Sequence, residues 1–246
     1  MLNLKFFKWS FIAVLLSGFL FASCSKDDDM SLGEMQDEIR KNGNDLMADG
    51  LFGAVKSYKA TYYYNSSWKN NAVEKGDKDY EYIREYDKNG FLTKSEYKNF
   101  ENGDVTNTSV SEIISRDNKN RTTVSVSSTK YANSPSYYYK YEYTYDDSKK
   151  EAVCINSNSS DGIDYEVSGK TVYKLNKYGK IDGNNSEEFS SLRSANDEDN
   201  HFEENAYSGQ YSIYDEKGNI TQSYYKYKYG DIVTISSYRE MGYVYY

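Results

Sequence analysis

Along much of this chain, tyrosine and polar residues alternate with period two. From Tyr137 to Tyr145 every odd position is tyrosine, and the even positions are Tyr138, Lys140, Glu142 and Thr144. Successive side chains of a strand point to opposite faces, so this pattern predicts a strand with one face packed and one wet. Tyr80, Tyr82 and Tyr86 against Glu81 and Glu85 repeat it, as do Tyr225, Tyr227 and Tyr229 against Lys226 and Lys228. Near the start, Tyr58, Ala60, Tyr62 and Tyr64 share one face, with Lys59 and Thr61 on the other. The single proline, Pro135, falls in a turn cluster with Asn133, Ser134 and Ser136, so the ladders run uninterrupted.

Turn signals punctuate these strands at a regular interval. Asp87, Asp117, Asp146, Asn176 and Asp215 each open a short polar segment, and they are spaced 30, 29, 30 and 39 residues apart. An Asx side chain accepts a hydrogen bond from a backbone N–H two residues on, and Gly90, Gly179 and Gly218 supply the left-handed residue that closes the turn. Asn120 stands where glycine is expected in the second copy and tolerates the same conformation. Other turn clusters lie midway, at Asn102-Gly103-Asp104, Asn133 to Ser136 and Asn156 to Gly162. Each period is therefore two strands and two turns. The expected fold is all-β, a long-stranded antiparallel meander of hairpin repeats with about ten to twelve strands, each about 33 Å long for ten residues. Whether it is an open twisted sheet or two layers depends on register.

The stretch Tyr214-Asp215-Glu216-Lys217-Gly218-Asn219-Ile220-Thr221 resembles the YD repeat of Rhs-type shells and many bacterial surface proteins, and Tyr86 to Thr93 is similar to it. The resemblance spans Tyr80 to Tyr229. It implies a β-hairpin array and no catalytic residue, because the residues of the motif are structural.

Residues 1–23 read as a lipoprotein signal peptide, with Lys5 and Lys8 ahead of an apolar run of 14 residues from Trp9 to Ala22. That run is too short for a comfortable membrane span. Leu20-Phe21-Ala22-Ser23-Cys24 resembles a lipobox, which implies cleavage before Cys24 and lipidation of its thiol, giving a membrane anchor. Ser25-Lys26-Asp27-Asp28-Asp29 resembles the export signal of Bacteroidota-type lipoproteins, which implies an outer-membrane location facing the cell exterior; an ordinary solvated tether is the alternative. Residues 24–50 form this acidic tether with a short helix, and residues 51–246 a single β-repeat domain. Residues 184–205 are an acidic insertion within it.

Charge and composition narrow the function. The formal net charge is −8, and losing the two leader lysines takes it to −10. Such a chain repels phosphate backbones, so nucleic acid is not an expected partner. Cys154 has no second cysteine once Cys24 carries lipid, and no metal-ligand spacing exists; Asp117-Asn118-Lys119 and Asp215-Glu216-Lys217 place lysine where a calcium loop needs oxygen. No cofactor or metal is expected. His201 is the only histidine and no nucleophile has a local signature, so an enzyme is not expected. With 29 tyrosines, the chain suits a non-catalytic binding module for an extracellular glycan or host-surface ligand. Trp68, Tyr138 and Tyr224 are the candidate ligand-binding residues, since they sit on the polar face or in a loop; the alternative is that they are ordinary sheet-surface residues. The other functional reading is a structural protein docking an envelope partner through edge strands, with Tyr243-Val244-Tyr245-Tyr246 as an edge not blunted by charge or proline.

Overall fold

The computed structural model describes residues 43–181, 208–229 and 232–246. The expected signal peptide at residues 1–23, Cys24, the acidic run, the expected insertion at 184–205 and His201 lie outside the described residues. After one helical turn, α1 (Asp45–Ala48), come β1 (Val55–Tyr64), β2 (Ser67–Lys69), β3 (Ala72–Glu74), β4 (Asp77–Tyr86), β5 (Leu92–Glu101) and β6 (Asp104–Arg116). Then follow β7 (Thr122–Tyr131), β8 (Ser134–Asp146), β9 (Glu151–Ser159), β10 (Glu166–Lys174), β11 (Ser208–Tyr214), β12 (Ile220–Tyr229) and β13 (Ile232–Tyr245). All belong to one 13-stranded antiparallel sheet with the order β10-β9-β8-β7-β6-β5-β4-β1-β13-β12-β11, and β2 and β3 form a small hairpin beside β13. The sheet is open, with β10 and β11 at its two ends. Pro135 is the second residue of β8, where a missing N–H is tolerated, rather than in a turn.

The final strand is not an edge. β13 pairs with β1 through Tyr238–Tyr245 on one side and with β12 through Ile232–Glu240 on the other, so the strand is interior to the sheet, although the β12 ladder stops short of Tyr243. Local pairing built the outward meander from β4 to β10, but the closing contact between β1 and β13 joins the two ends of the chain. Sequence alternation carries no information about that pairing.

The anchor turns all lie at one end of the sheet. Asp87 Oδ1 accepts from the Asn89 and Phe91 N–H groups at 2.8 and 3.0 Å. Asp117 does so from Lys119 and Arg121, Asn176 from Tyr178 and Lys180, and Asp215 from Lys217 and Asn219. Residues Gly90, Asn120, Gly179 and Gly218 all have φ between 59° and 86°. The Asp146 turn departs, taking its bonds from Ser148 and Lys149 and placing the left-handed residue at Lys150. At the far end, Asn70-Asn71 and Asn102-Gly103 have positive φ at both residues, the two-residue hairpin geometry that matches strand twist.

Hydrophobic burial is thin: besides single residues such as Ala60, Ala152, Cys154 and Leu175, it gathers in two small clusters. One gathers Leu46, Val55 and Tyr86 with Leu51, Tyr58, Leu92, Tyr243 and Tyr245 beneath the segment that precedes β1. The other gathers Tyr224, Ile235 and Tyr238 with Tyr63, Trp68, Val73 and Tyr211 on the opposite face. It forms where Asn65 and Ser237 take positive φ and the β12–β13 register shifts, with the β2–β3 hairpin paired to β13 through Ser67 and Thr234. To the β10 side of both clusters, β5 to β8 have no second layer over them away from the anchor-turn end, among the described residues. The expectation of one packed and one wet face is therefore corrected around Tyr131, Tyr137 and Tyr139, where both faces meet solvent because a face built of Tyr, Ser and Asn gains too little from burial to demand a covering layer; towards the anchor turns Ser125, Ala152 and Cys154 of the same face are buried.

Candidate functional site: a tyrosine-walled trough

Strand register sorts β5 to β9 into two chemically distinct faces. On one face lie Ser95, Tyr97 and Asn99; Asn107, Ser109, Ser111 and Ile113; Ser125, Ser127, Thr129 and Tyr131; the odd tyrosines from Tyr137 to Tyr145; and Ala152, Cys154, Asn156 and Asn158. None is charged. The other face carries Lys94, Glu96, Lys98, Glu112, Lys130, Lys140 and Glu142 with valines between them. Lys98–Glu96 and Lys140–Glu142 pair there at 2.5 and 2.9 Å, each between alternate residues of one strand.

On the uncharged face the side chains rank across the strands. Tyr97 lies opposite Ser109, which lies opposite Thr129, then Tyr137. The next rank runs Ser95, Ser111, Ser127, Tyr139 and Asn158. Short hydroxyl side chains of β6 and β7 thus form a floor. Tyr97, in ring contact with Tyr80 at 5.2 Å, walls one side, and Tyr137, Tyr139 and Tyr141 wall the other. The walls stand three ladder spacings apart, about 14 Å. Ser109 and Thr129 hydroxyls bond each other at 3.0 Å, and the Asn99 amide donates to Asn107 at the same distance. Tyr131, Tyr137 and Tyr139 are 44%, 49% and 36% exposed, so their rings are presented rather than packed.

At its turn end the trough opens into a groove of about 490 Å³ lined by Ile113, Ser125, Tyr143 and Tyr145, with Arg116, Arg121 and Lys180 above them. The cations there are partnered. Arg116 bonds Asp45 at 2.7 Å, and Arg121 bonds both Asp117 and Asp147 at 2.7 Å while lying 4.1 Å over the Tyr145 ring. Burial pushes the Tyr145 phenol up to about 12, and burial with the neighbouring Cys154 raises Tyr143. Bonds from Lys119 and Arg121 hold the Asp147 carboxyl below its ordinary value. Tyr143 and Tyr145 are thus neutral phenols at ordinary pH, able both to donate and to accept.

The candidates named from sequence lie elsewhere. Trp68 and Tyr224 are brought together, with ring centroids 6.3 Å apart, but Tyr224 is only 7% exposed, so it is a packed residue and not a surface platform. Its parity with Lys226 and Lys228 placed it on the polar face, and the bulged corner then buried it. Tyr138 is seven ladder spacings from β12, about 34 Å, and its ring packs over Gly162, where a Cβ would come within 3.0 Å. The trough tyrosines were visible as an alternating row, yet the serine floor that makes them a trough depends on which strands are neighbours.

Among the described residues, every buried side-chain nitrogen and oxygen has a hydrogen-bond partner. No group of three His, Cys, Asp or Glu residues could hold a metal ion there. No helix there is long and apolar enough to cross a membrane. Comparison of the chain with family models, curated proteins and solved structures yields no match.

Proposed function

We propose that this protein is a non-catalytic module that holds an uncharged polysaccharide along the trough of β5 to β8. The observation that carries the reading is the charge-free trough itself. Tyrosine walls offer flat apolar faces to the C–H faces of sugar rings, and the Ser, Thr and Asn floor offers donors and acceptors to hydroxyls. A charged polymer would gain nothing from such a surface, and an apolar one would strand the hydroxyls. In this reading the protein is a lipoprotein held at Cys24 on the outer face of the outer membrane, which presents the sheet to extracellular glycans.

The test is affinity electrophoresis of the full-length protein, in detergent, through gels containing neutral polysaccharides such as xylan, glucan or mannan. We expect retardation by at least one polymer, lost in a Tyr137→Ala, Tyr139→Ala double variant. Unretarded migration in every gel, or retardation that survives the double variant, would overturn the assignment.

Docking of an envelope partner is a second reading, favoured by one observation. Among the described residues β11 has a hydrogen-bonded strand on one side only, and it carries no charged residue or proline, whereas β10 at the other end carries Glu166, Lys170 and Lys174. An edge blunted by charge resists pairing; one without it accepts a strand.

A further inference from the structure

We infer that the cavity between the sheet and the segment preceding β1 is a binding site for a small monocarboxylate with a short aliphatic tail. Ala60 opens it. In its rank across the strands Ala60 stands between Tyr82 and Met241, and it puts only a methyl where they put long side chains. Residues 49–52 line the other side, held at Phe52 by Asn219. The result is a cavity of about 110 Å³ lined by Leu51, Phe52, Ala60, Ile220 and Met241, with Arg239 in its wall. A dry cavity of about 150 Å³ holds benzene, so this one suits a tail of a few carbons and not a polymer.

Arg239 supplies recognition of the carboxylate. Of the other described arginines, Arg84 bonds Asp49, Arg116 bonds Asp45, and Arg121 bonds Asp117 and Asp147. Arg239 bonds hydroxyls instead: Nε donates to Ser223 at 2.6 Å and Nη1 to the Tyr62 hydroxyl at 3.3 Å. Those bonds orient the guanidinium and leave one N–H of Nη1 and both of Nη2, the fork that takes a carboxylate through two parallel bonds. The nearby acids are engaged. Asp49, the one carboxylate lining the cavity among the described residues, bonds Arg84 and the Tyr86 hydroxyl. Asp215 accepts from the Tyr245 hydroxyl, and Glu240 pairs with Lys75 at 2.7 Å. Burial raises the phenols of Tyr58, Tyr82 and Tyr243, so these walls are neutral and leave the charge of Arg239 to a ligand. The apolar lining then selects an anion with a tail over a hydrated inorganic one. The cavity shares no residue with the trough of β5 to β8, so this inference does not depend on the neutral-polymer reading.

Ligand-observed NMR tests this on the full-length protein in an aliphatic zwitterionic detergent, which has no aromatic protons. Saturating the aromatic protons of the protein should pass magnetisation to the methyl group of sodium butyrate, saturably with butyrate concentration. Butyramide has the same tail and a neutral head, and should bind at least ten-fold more weakly. Sodium sulfate has the charge without the tail, and should compete at least ten-fold less well than butyrate binds. Arg239→Gln, with circular dichroism unchanged, should weaken butyrate at least ten-fold, while the Tyr137→Ala, Tyr139→Ala variant should not change it. Absence of saturation, butyramide or sulfate binding as tightly as butyrate, an unaffected Arg239→Gln, or loss in the trough variant would each overturn the inference. If Arg239→Gln does not fold, the butyramide comparison on the parent protein decides. Loss of neutral-polymer retardation bears only on the trough.

Discussion

Asn219 and Phe52 are joined by a two-way hydrogen bond across 167 residues of sequence. The Phe52 N–H donates to Asn219 Oδ1 at 2.7 Å, and Asn219 Nδ2 donates back to the Phe52 carbonyl at 2.9 Å. The same amide donates to the Tyr245 hydroxyl at 2.8 Å, and that hydroxyl donates to Asp215 at 2.6 Å. Asn219 is 1% exposed. One turn of the β11–β12 hairpin is thereby fastened to the segment that leads into β1. Asn219→Ala leaves a backbone donor and acceptor without partners at a buried site, at a cost of about 2–3 kcal/mol. A urea midpoint within error of the parent would show that the segment is held by its apolar contacts alone.

Two glycines of similar φ should respond differently to alanine. Gly103 has φ 87° and nothing within 4 Å of where a Cβ would stand, so Gly103→Ala bears only the backbone cost of about 1 kcal/mol. Gly90 has φ 79°, and a Cβ there would come 2.2 Å from Asn44 Nδ2, which donates to the Asn89 carbonyl. Asn44 caps α1 through the Met47 N–H, so displacing it also costs about 1 kcal/mol of capping. Gly90→Ala should therefore lower stability at least twice as much as Gly103→Ala in parallel denaturant melts. Equal losses would mean that Asn44 moves aside freely.

The contrast between those turns and the trough shows what the sequence could tell. The anchor turns were readable because their chemistry is local: an Asx oxygen bonding N–H groups two and four residues on needs no knowledge of distant chain. Strand period and the antiparallel meander followed from the same local rules. Three things did not. The partnership of β1 with β13 joins Tyr58 to Tyr243, and nothing near either residue encodes it. Burial of Tyr224 follows from bulges at Asn65 and Ser237, residues whose types do not announce a bulge. The assignment of the odd tyrosines of β8 to a packed face held at Tyr143 and Tyr145, which lie beneath Arg121, and failed at the exposed Tyr137 and Tyr139, because alternation gives parity but not occupancy.

Acid should weaken the fold through particular carboxylates. Burial tends to raise Asp215, but the Tyr245 hydroxyl and the Asn219 and Lys217 N–H groups outweigh it and hold the carboxyl below its ordinary value. Asp117 and Glu240 are likewise lowered against burial, the first by Arg121 and the second by Lys75 and Tyr238. A depressed folded value contributes stability that is present above the unfolded value, about 3.9 for Asp and 4.3 for Glu, and lost as pH falls through the folded one. Urea midpoints should be flat from pH 7 to about pH 5 and fall below about pH 4. A midpoint that rises below pH 4 would refute the assignment.

Alkali acts on the opposite sign. Burial pushes the phenols of Tyr145, Tyr224 and Tyr245 up to about 12. A raised folded value contributes stability that is complete below the unfolded tyrosine value of about 10 and lost as pH rises through the folded one. Phenolate absorbance should therefore show a late group of tyrosines ionising near pH 12 in the folded protein, with loss of β-sheet dichroism over the same interval. Ionisation of all 29 tyrosines as one group near pH 10, with the dichroism intact, would contradict the buried clusters.

The trough reading requires that its walls be dispensable to the fold, and this separates Tyr139 from Tyr86. Tyr86 is 2% exposed, belongs to the cluster with Leu46 and Val55, and donates to Asp49, which also pairs with Arg84. Tyr86→Ala opens a cavity and releases that carboxylate, at a cost of about 3–5 kcal/mol. Tyr139 is 36% exposed and stands between Ser127 and Asn158 across the ladders, so Tyr139→Ala removes only cross-strand contact, about 0.2–1 kcal/mol. The difference follows from the single layer: where nothing covers a ring, its removal exposes little that was dry. Denaturant melts of the two variants measure it. If Tyr139→Ala costs as much as Tyr86→Ala, the wall is covered in solution and no polymer can lie there. A small loss leaves the ring free for a ligand.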